Sequence, residues 1–334
     1  MRSYRRARQS PSSRRAATRT GWCAAAASAA AMSAAIVAAP AQAATMPPDN
    51  SANYSFTNII DNHDPTFNQA LGINNSGTVA GYFGSGQTGH PNRGYVVRKP
   101  YSQGDFRPEN FPGSAQTQVT GINNRADTVG FWVGRGGANH GFYELKGHKP
   151  VTVDFPTHNN AKPKLDQLLG INDSRVAVGF YNDAKGNPHG FTYNIPRRRF
   201  HTVTVAGDSG VTATAINDQG DVAGFATNGA GATEAFLKRS DGRVFHLDVP
   251  GATATQAFGV NDGDEVVGAY TVGTGSSAST FGFAWVPGFG FATVNDPAGV
   301  GSTTINGIND RGTLVGFYTD SAGNTDGFAA RVIG

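Results

Sequence analysis

Short apolar runs alternate along this chain with clusters of Gly, Asn, Asp and Ser, and the alternation itself repeats over a long period. The stretch GINNSGTVAGYF from Gly72 returns as GINNRADTVGFW from Gly121, GINDSRVAVGFY from Gly170 and AINDQGDVAGFA from Ala215. It returns again as GVNDGDEVVGAY from Gly259 and GINDRGTLVGFY from Gly307. Start-to-start spacings are 49, 49, 45, 44 and 48 residues, a period that marks a repeat architecture. Each repeat divides into four strand-like pieces bounded by turn residues. The first ends at Gly-Ile-Asn. The second is apolar on consecutive positions, as at Val266 and Val267 or Leu314 and Val315, which predicts a strand covered on both faces. The third opens on a small residue and an aromatic: Tyr95, Phe142, Phe191, Phe236, Phe283 and Phe328. The fourth alternates apolar and polar residues, as in residues 150–155 and 244–249.

The sixth repeat stops after its third piece, and a matching fourth piece stands alone at residues 56–61. An open β-solenoid, the main rival, gives no reason for that split. A closed ring does, because the first strand completes the last blade and leaves no unpaired edge. The expected fold is therefore all-β: a six-bladed β-propeller, four antiparallel strands per blade, spanning residues 56–334 and closed between its termini. A glycine recurs in every second piece (Gly81, Gly130, Gly179, Gly224, Gly268 and Gly316). Glycine weakens a strand interior, so its return predicts close approach of a neighbour, with the third-piece ring as the candidate.

Residues 1–43 read differently. Seven arginines and no acidic residue precede an alanine-rich apolar run that ends in Pro40-Ala41-Gln42-Ala43, the layout of a cleaved bacterial export signal. Residues 44–55 are polar and proline-containing, and read as a flexible spacer. Seven of the 27 basic residues and none of the 24 acidic ones lie in the leader, so the mature chain carries a formal charge of −4. Of the remaining basic residues only Arg197 to Arg199 cluster, which argues against a nucleic-acid surface. The single cysteine, Cys23, also lies in the leader, so disulfides contribute nothing to the mature fold. The expected location is secreted or periplasmic, with no membrane span after signal cleavage.

The Gly-Ile-Asn-Asp core, followed by His140-Gly-Phe142, His189-Gly-Phe191 or variants such as Glu234-Ala-Phe236, resembles the HAF repeat of bacterial extracellular proteins. The resemblance covers nearly all of residues 56–334. It implies a propeller-like, exported protein and carries no catalytic motif.

Candidate chemistry follows from the ring. Three positions before each Gly-Ile-Asn stand Gln69, Gln118, Gln167, Thr212, Gln256 and Thr304. Their amides and hydroxyls donate and accept hydrogen bonds, which suits sugar hydroxyls or water around a channel mouth. His90, His140 and His189 could in principle ligate zinc, but no short ligand spacing supports this, and bonding within each hairpin accounts for them. Oxygen-rich loops at residues 61–64, 182–187 and 319–324 read as hairpin turns before calcium sites. No nucleophile or phosphate-binding motif occurs. The reading is an exported non-enzymatic binding or interaction module, with a glycan or cell-envelope component as ligand and no catalytic residues. The alternative is a calcium-dependent hydrolase or lactonase-like enzyme, with the metal held at the channel mouth by Asp64, Asp166, Asp208 or Asp296.

Overall fold

The computed structural model describes residues 45–333. The expected export signal lies outside the described residues. Six four-stranded antiparallel blades follow one another along the chain, the fourth and fifth joined by a parallel bridge between Thr233 and Ala254. Blade one comprises Asn68–Ile73, Val79–Phe83, Arg93–Val97 and Phe106–Pro108. Blade two comprises Gln116–Ile122, Thr128–Val133, Asn139–Glu144 and Val151–Val153. Blade three comprises Asp166–Ile171, Val176–Asn182, Pro188–Asn194 and Arg199–Thr202. Blade four comprises Ser209–Ile216, Val222–Thr227, Thr233–Lys238 and Val244–Leu247. Blade five comprises Ala254–Val260, Val266–Val272, Ser279–Val286 and Gly290–Thr293. Blade six takes Thr303–Ile308, Leu314–Thr319 and Thr325–Val332 from the C-terminus and its outermost strand, Tyr54–Ile59, from the N-terminus. Helix among the described residues is limited to three short 3₁₀ turns.

The closing strand pairs in full antiparallel register, from Tyr54 opposite Val332 to Ile59 opposite Gly327. Hydrophobic packing tells the same story. Six apolar clusters lie at the six blade junctions, and each draws side chains from two successive blades. The last of them joins Val315 and Ala329 of blade six to Ala70, Ile73 and Val79 of blade one, with Ile59 of the closing strand between. The third-strand aromatics are the plugs of these clusters: Tyr95, Phe142, Phe191, Phe236, Phe283 and Phe328 are each at most 1% exposed. Burying one such ring contributes roughly 1.5–3 kcal/mol. The architecture is the six-bladed propeller that the repeats predict.

Every inner strand carries a β-bulge, where one extra residue precedes the glycine of the Gly-Ile-Asn segment, or Ala215 in blade four. The extra residues line the channel cavity, and the carbonyl two residues before each of them lies against the second strand. This is why the second strand needs glycine. A Cβ at Gly130 would collide with the Gln118 carbonyl oxygen and come within 2.9 Å of the Phe142 ring. Equivalent carbonyls face the other five glycines, and the third-strand ring is a further neighbour at Gly81, Gly224, Gly268 and Gly316. The close approach expected from the sequence is real, but the nearest atom is backbone.

One expectation is corrected. Residues 48–53, within the segment read as a flexible spacer, are docked. Thr293 donates its amide to the Pro48 carbonyl (2.8 Å), and Asn50 donates back to the Thr293 carbonyl (2.9 Å). Asn295 donates to Ser51 Oγ (2.8 Å), and Ile333 to the Asn53 carbonyl (2.8 Å). The outer strand of blade five, Gly290–Thr293, has an edge free to pair, and this segment covers it.

Because Ile59 is fully buried in the cluster that joins the last blade to the first, Ile59→Ala should cost about 3 kcal/mol in urea unfolding. A neutral substitution would mean that the closing strand bears no load.

Candidate binding sites at the channel mouths

The inner strands run the same way around the channel, so their first residues surround one mouth and their last residues the other. At the finishing mouth, the third residue of each Gly-Ile-Asn is a buried asparagine with two duties. Its side-chain oxygen caps its own turn, as when Asn123 Oδ1 accepts the amides of Arg125 (3.0 Å) and Asp127 (2.9 Å). Its Nδ2 reaches across the blade junction to the next asparagine's carbonyl. Asn74 donates to Asn123, Asn123 to Asn172, Asn172 to Asn217, Asn217 to Asn261, Asn261 to Asn309 and Asn309 back to Asn74, at 2.9–3.4 Å.

A second ring lies beside it. The residue after each asparagine donates its amide to the next blade's side chain, in the order Asn75, Asn124, Asp173, Asp218, Asp262, Asp310 and back to Asn75, at 2.7–3.0 Å. These rings frame a cavity of ≈ 110 Å³, with the bulge residues Leu71, Thr120, Leu169, Thr214, Phe258 and Asn306 further in. A single water needs roughly 10–15 Å³, so the mouth holds several water-sized groups.

The rim is anionic. Asn75 and Asn124 donate their side-chain amides to the second oxygens of Asp310 (2.6 Å) and Asp173 (3.0 Å), which clamps those two carboxylates. Asp218 and Asp262, between them in the ring, have no such amide. Burial, and then the neighbouring charges of Asp173, Asp262 and Asp310, push the Asp218 carboxyl above its ordinary value, against the Asp173 amide that lowers it. The sequence reading saw only turn-formers here. The available signal was that asparagine fills this place in all six copies, although a turn alone tolerates Asp, Ser or Gly.

The starting mouth holds the crown read from the sequence, and the structure buries it instead of opening it to the cavity. Gln69, Gln118, Gln167 and Thr212 are 0–6% exposed, whereas Gln256 and Thr304 are partly exposed. Gln69 Oε1 accepts from the Tyr82 hydroxyl (2.7 Å), and Gln118 Nε2 donates to Asn92 Oδ1 (2.8 Å). The other amide atom of each is buried without a protein hydrogen bond, as is Gln167 Oε1. Two acids share that condition: Asp166 Oδ2, on the residue before Gln167, and Asp296 Oδ2, in the connection entering blade six. Burial pushes Asp166 up to about 6, with Asp154 adding to the shift and the Phe155 amide opposing it. Burial likewise raises Asp296.

The four aspartates of the calcium reading stand on different blades. Asp64 is engaged by Thr66 (2.6 Å) and His90 (2.7 Å). Asp166 and Asp296 are described above, and Asp208 lies beside Glu234 and His246 of blade four. The histidines stay local: His90, His140 and His189 contact Asp64, Asp154 and Asp183 of their own blades at 2.7–3.2 Å. The loop at 182–187 is a turn in which Asp183 Oδ1 accepts the Lys185 and Asn187 amides, and Asp320 does the same for Ala322 and Asn324. These backbone bonds, with His189 beside it, hold the Asp183 carboxyl well below the usual range.

If the bulge carbonyl dictates the second-strand glycine, Gly130→Ala should destabilise by about 3 kcal/mol in chemical unfolding, despite adding one methyl. A change within error would show that the inner strand can simply give way.

No family model matches the sequence, and no curated protein matches it. Among solved structures, the chain is similar to AofleA from Arthrobotrys oligospora, with a TM-score of 0.53 and 10% identity over 84% of this chain and 90% of that one. It is also similar to the Aleuria aurantia lectin, described as a fungal lectin with a six-bladed β-propeller fold and a novel fucose recognition mode (TM-score 0.49, 10% identity, 78% and 90% covered). TolB from Acinetobacter baumannii follows, with a TM-score of 0.46 and 12% identity over 76% of this chain and 64% of that one. At such identities the likeness to AofleA speaks to the fold alone, and it agrees with the strand order: this chain is a six-bladed β-propeller.

Proposed function

We propose that this protein is an exported binding module that takes a hydroxyl-rich ligand, a glycan of the cell envelope, at the mouth where the inner strands begin. One observation carries the reading. Buried atoms without a protein hydrogen bond stand at the starting ends of several blades: Gln69 Nε2, Gln118 Oε1, Asp166 Oδ2, Gln167 Oε1 and Asp296 Oδ2. A buried polar group left unpaired costs about 1–3 kcal/mol, so such an array is sustained by something that bonds it. Hydroxyls of a sugar, or waters that a sugar displaces, donate and accept as these groups require. Asp166, with its raised value, donates when protonated and accepts when ionised.

The finishing mouth holds a cavity, but most of its polar groups are spent on one another. Availability decides between the two. Export rests on the basic, alanine-rich leader and on the resemblance to HAF-repeat proteins. Among the described residues no helix is long and apolar enough to cross a membrane.

The purified protein should bind a defined subset of a glycan array. Gln167→Leu, which removes one unpaired amide, should weaken that binding roughly tenfold or more while the thermal midpoint holds. An array without binders, or undiminished binding by Gln167→Leu, would contradict the proposal.

A further inference from the structure

Blade four brings together three side chains that neither channel mouth uses. Asp208 lies in the connection entering the blade, Glu234 near the start of the third strand Thr233–Lys238, and His246 in the outermost strand Val244–Leu247. His246 Nδ1 stands 3.6 Å from Glu234 Oε1 and 3.8 Å from Asp208 Oδ2, and one ligating atom from each lies within 4.8 Å of the others. Side-chain exposure is 43% for His246, 17% for Glu234 and 7% for Asp208.

These spacings are too long for hydrogen bonds. Two ligand atoms on a tetrahedral zinc ion, each about 2.1 Å from it, lie roughly 3.4 Å apart. Histidines at the third strands of blades one, two and three stand closer to a carboxylate, at 2.7–3.2 Å. In blade two the chain also supplies its own cation: Lys164 Nζ lies 3.2 Å from Asp154 and 3.8 Å from Asp166. Among the described residues no lysine or arginine pairs with Asp208 or Glu234. The nine-tenths-buried Asp208 carboxylate has no hydrogen-bond donor, and faces the other two groups across the gap. Asn228 Nδ2 holds the far oxygen of Glu234 (3.4 Å) and leaves Oε1 directed at His246, the orientation a metal ligand needs from its surroundings.

We infer that Asp208, Glu234 and His246 form a zinc site, with its fourth position open to water or to an oxygen of a bound molecule. The imidazole nitrogen selects against calcium and magnesium, which prefer oxygen ligands throughout. The ion neutralises two carboxylates that the chain leaves unpaired, and it ties the connection from blade three to the outer strand of blade four. This differs from calcium held across several blades, because all three ligands belong to one blade and its entry loop.

The test uses untagged full-length protein, stripped with chelator and titrated calorimetrically with zinc chloride at pH 7.5. The expected result is one saturable site that raises the thermal midpoint. His246→Gln and Asp208→Asn should each weaken that site roughly tenfold or more. His246 is half-exposed and makes no hydrogen bond, so the stripped His246→Gln protein should unfold at the wild-type temperature, which separates loss of metal from loss of fold. Absence of a saturable zinc site, wild-type affinity in His246→Gln, or displacement of zinc by equimolar calcium would overturn the assignment.

Discussion

The structure depends on how closely six inner strands can be brought around one axis. At Gly72, Gly121, Gly170, Gly259 and Gly307 an added Cβ would sit 2.8–3.0 Å from backbone atoms of the next blade. Backbone thus packs on backbone, and the only way to hold it there is to satisfy its polar groups across the junction. The asparagine ring does this. Each amide crosses one junction in the same sense, so the bonds close on themselves, and a missing blade would leave both a donor and an acceptor buried without partners. Blade number is fixed by that closure as much as by hydrophobic packing.

The same constraint divides the labour between the two mouths. Where the strands end, side chains are consumed in fastening blades together, and what remains is an anionic rim around a small cavity. Where the strands begin, the residues ahead of the bulge are mostly buried, and several of their polar atoms make no protein hydrogen bond. The crown residues and the asparagine ring stand at opposite ends of the inner strands, so substitutions at one should leave the other largely untouched.

Much of this architecture was legible in the sequence because it repeats. The consecutive apolar residues, the third-strand aromatics and the stranded fourth piece at residues 56–61 each follow from local patterning, and together they specify a closed six-bladed ring. Three features were not legible, for physical reasons. The bulge is a matter of register between strands, so the carbonyl facing Gly130 cannot be seen from either strand alone. The role of Asn74 depends on a partner 49 positions away, and its turn-forming propensity masks that role. The docking of residues 48–53 depends on an open edge in blade five, to which their own polar composition gives no clue. Of the crown residues expected around the channel, Gln69, Gln118, Gln167 and Thr212 are buried, whereas Gln256 and Thr304 are partly exposed. Asp208 was singled out without its partners, because His246 sits in a piece whose alternation reads simply as strand.

The central claim is closure of the ring by the first strand on the last blade. Ser55 and Arg331 are exposed and directly opposite one another in that pairing, at a spacing that suits a disulfide. In a Cys23→Ser background, Ser55→Cys with Arg331→Cys should form an intrachain cross-link under mild oxidation. The oxidised protein should then gain about 2–4 kcal/mol over its reduced form in urea unfolding. Failure of the two thiols to cross-link while the protein remains folded would place the termini apart and contradict the closed ring.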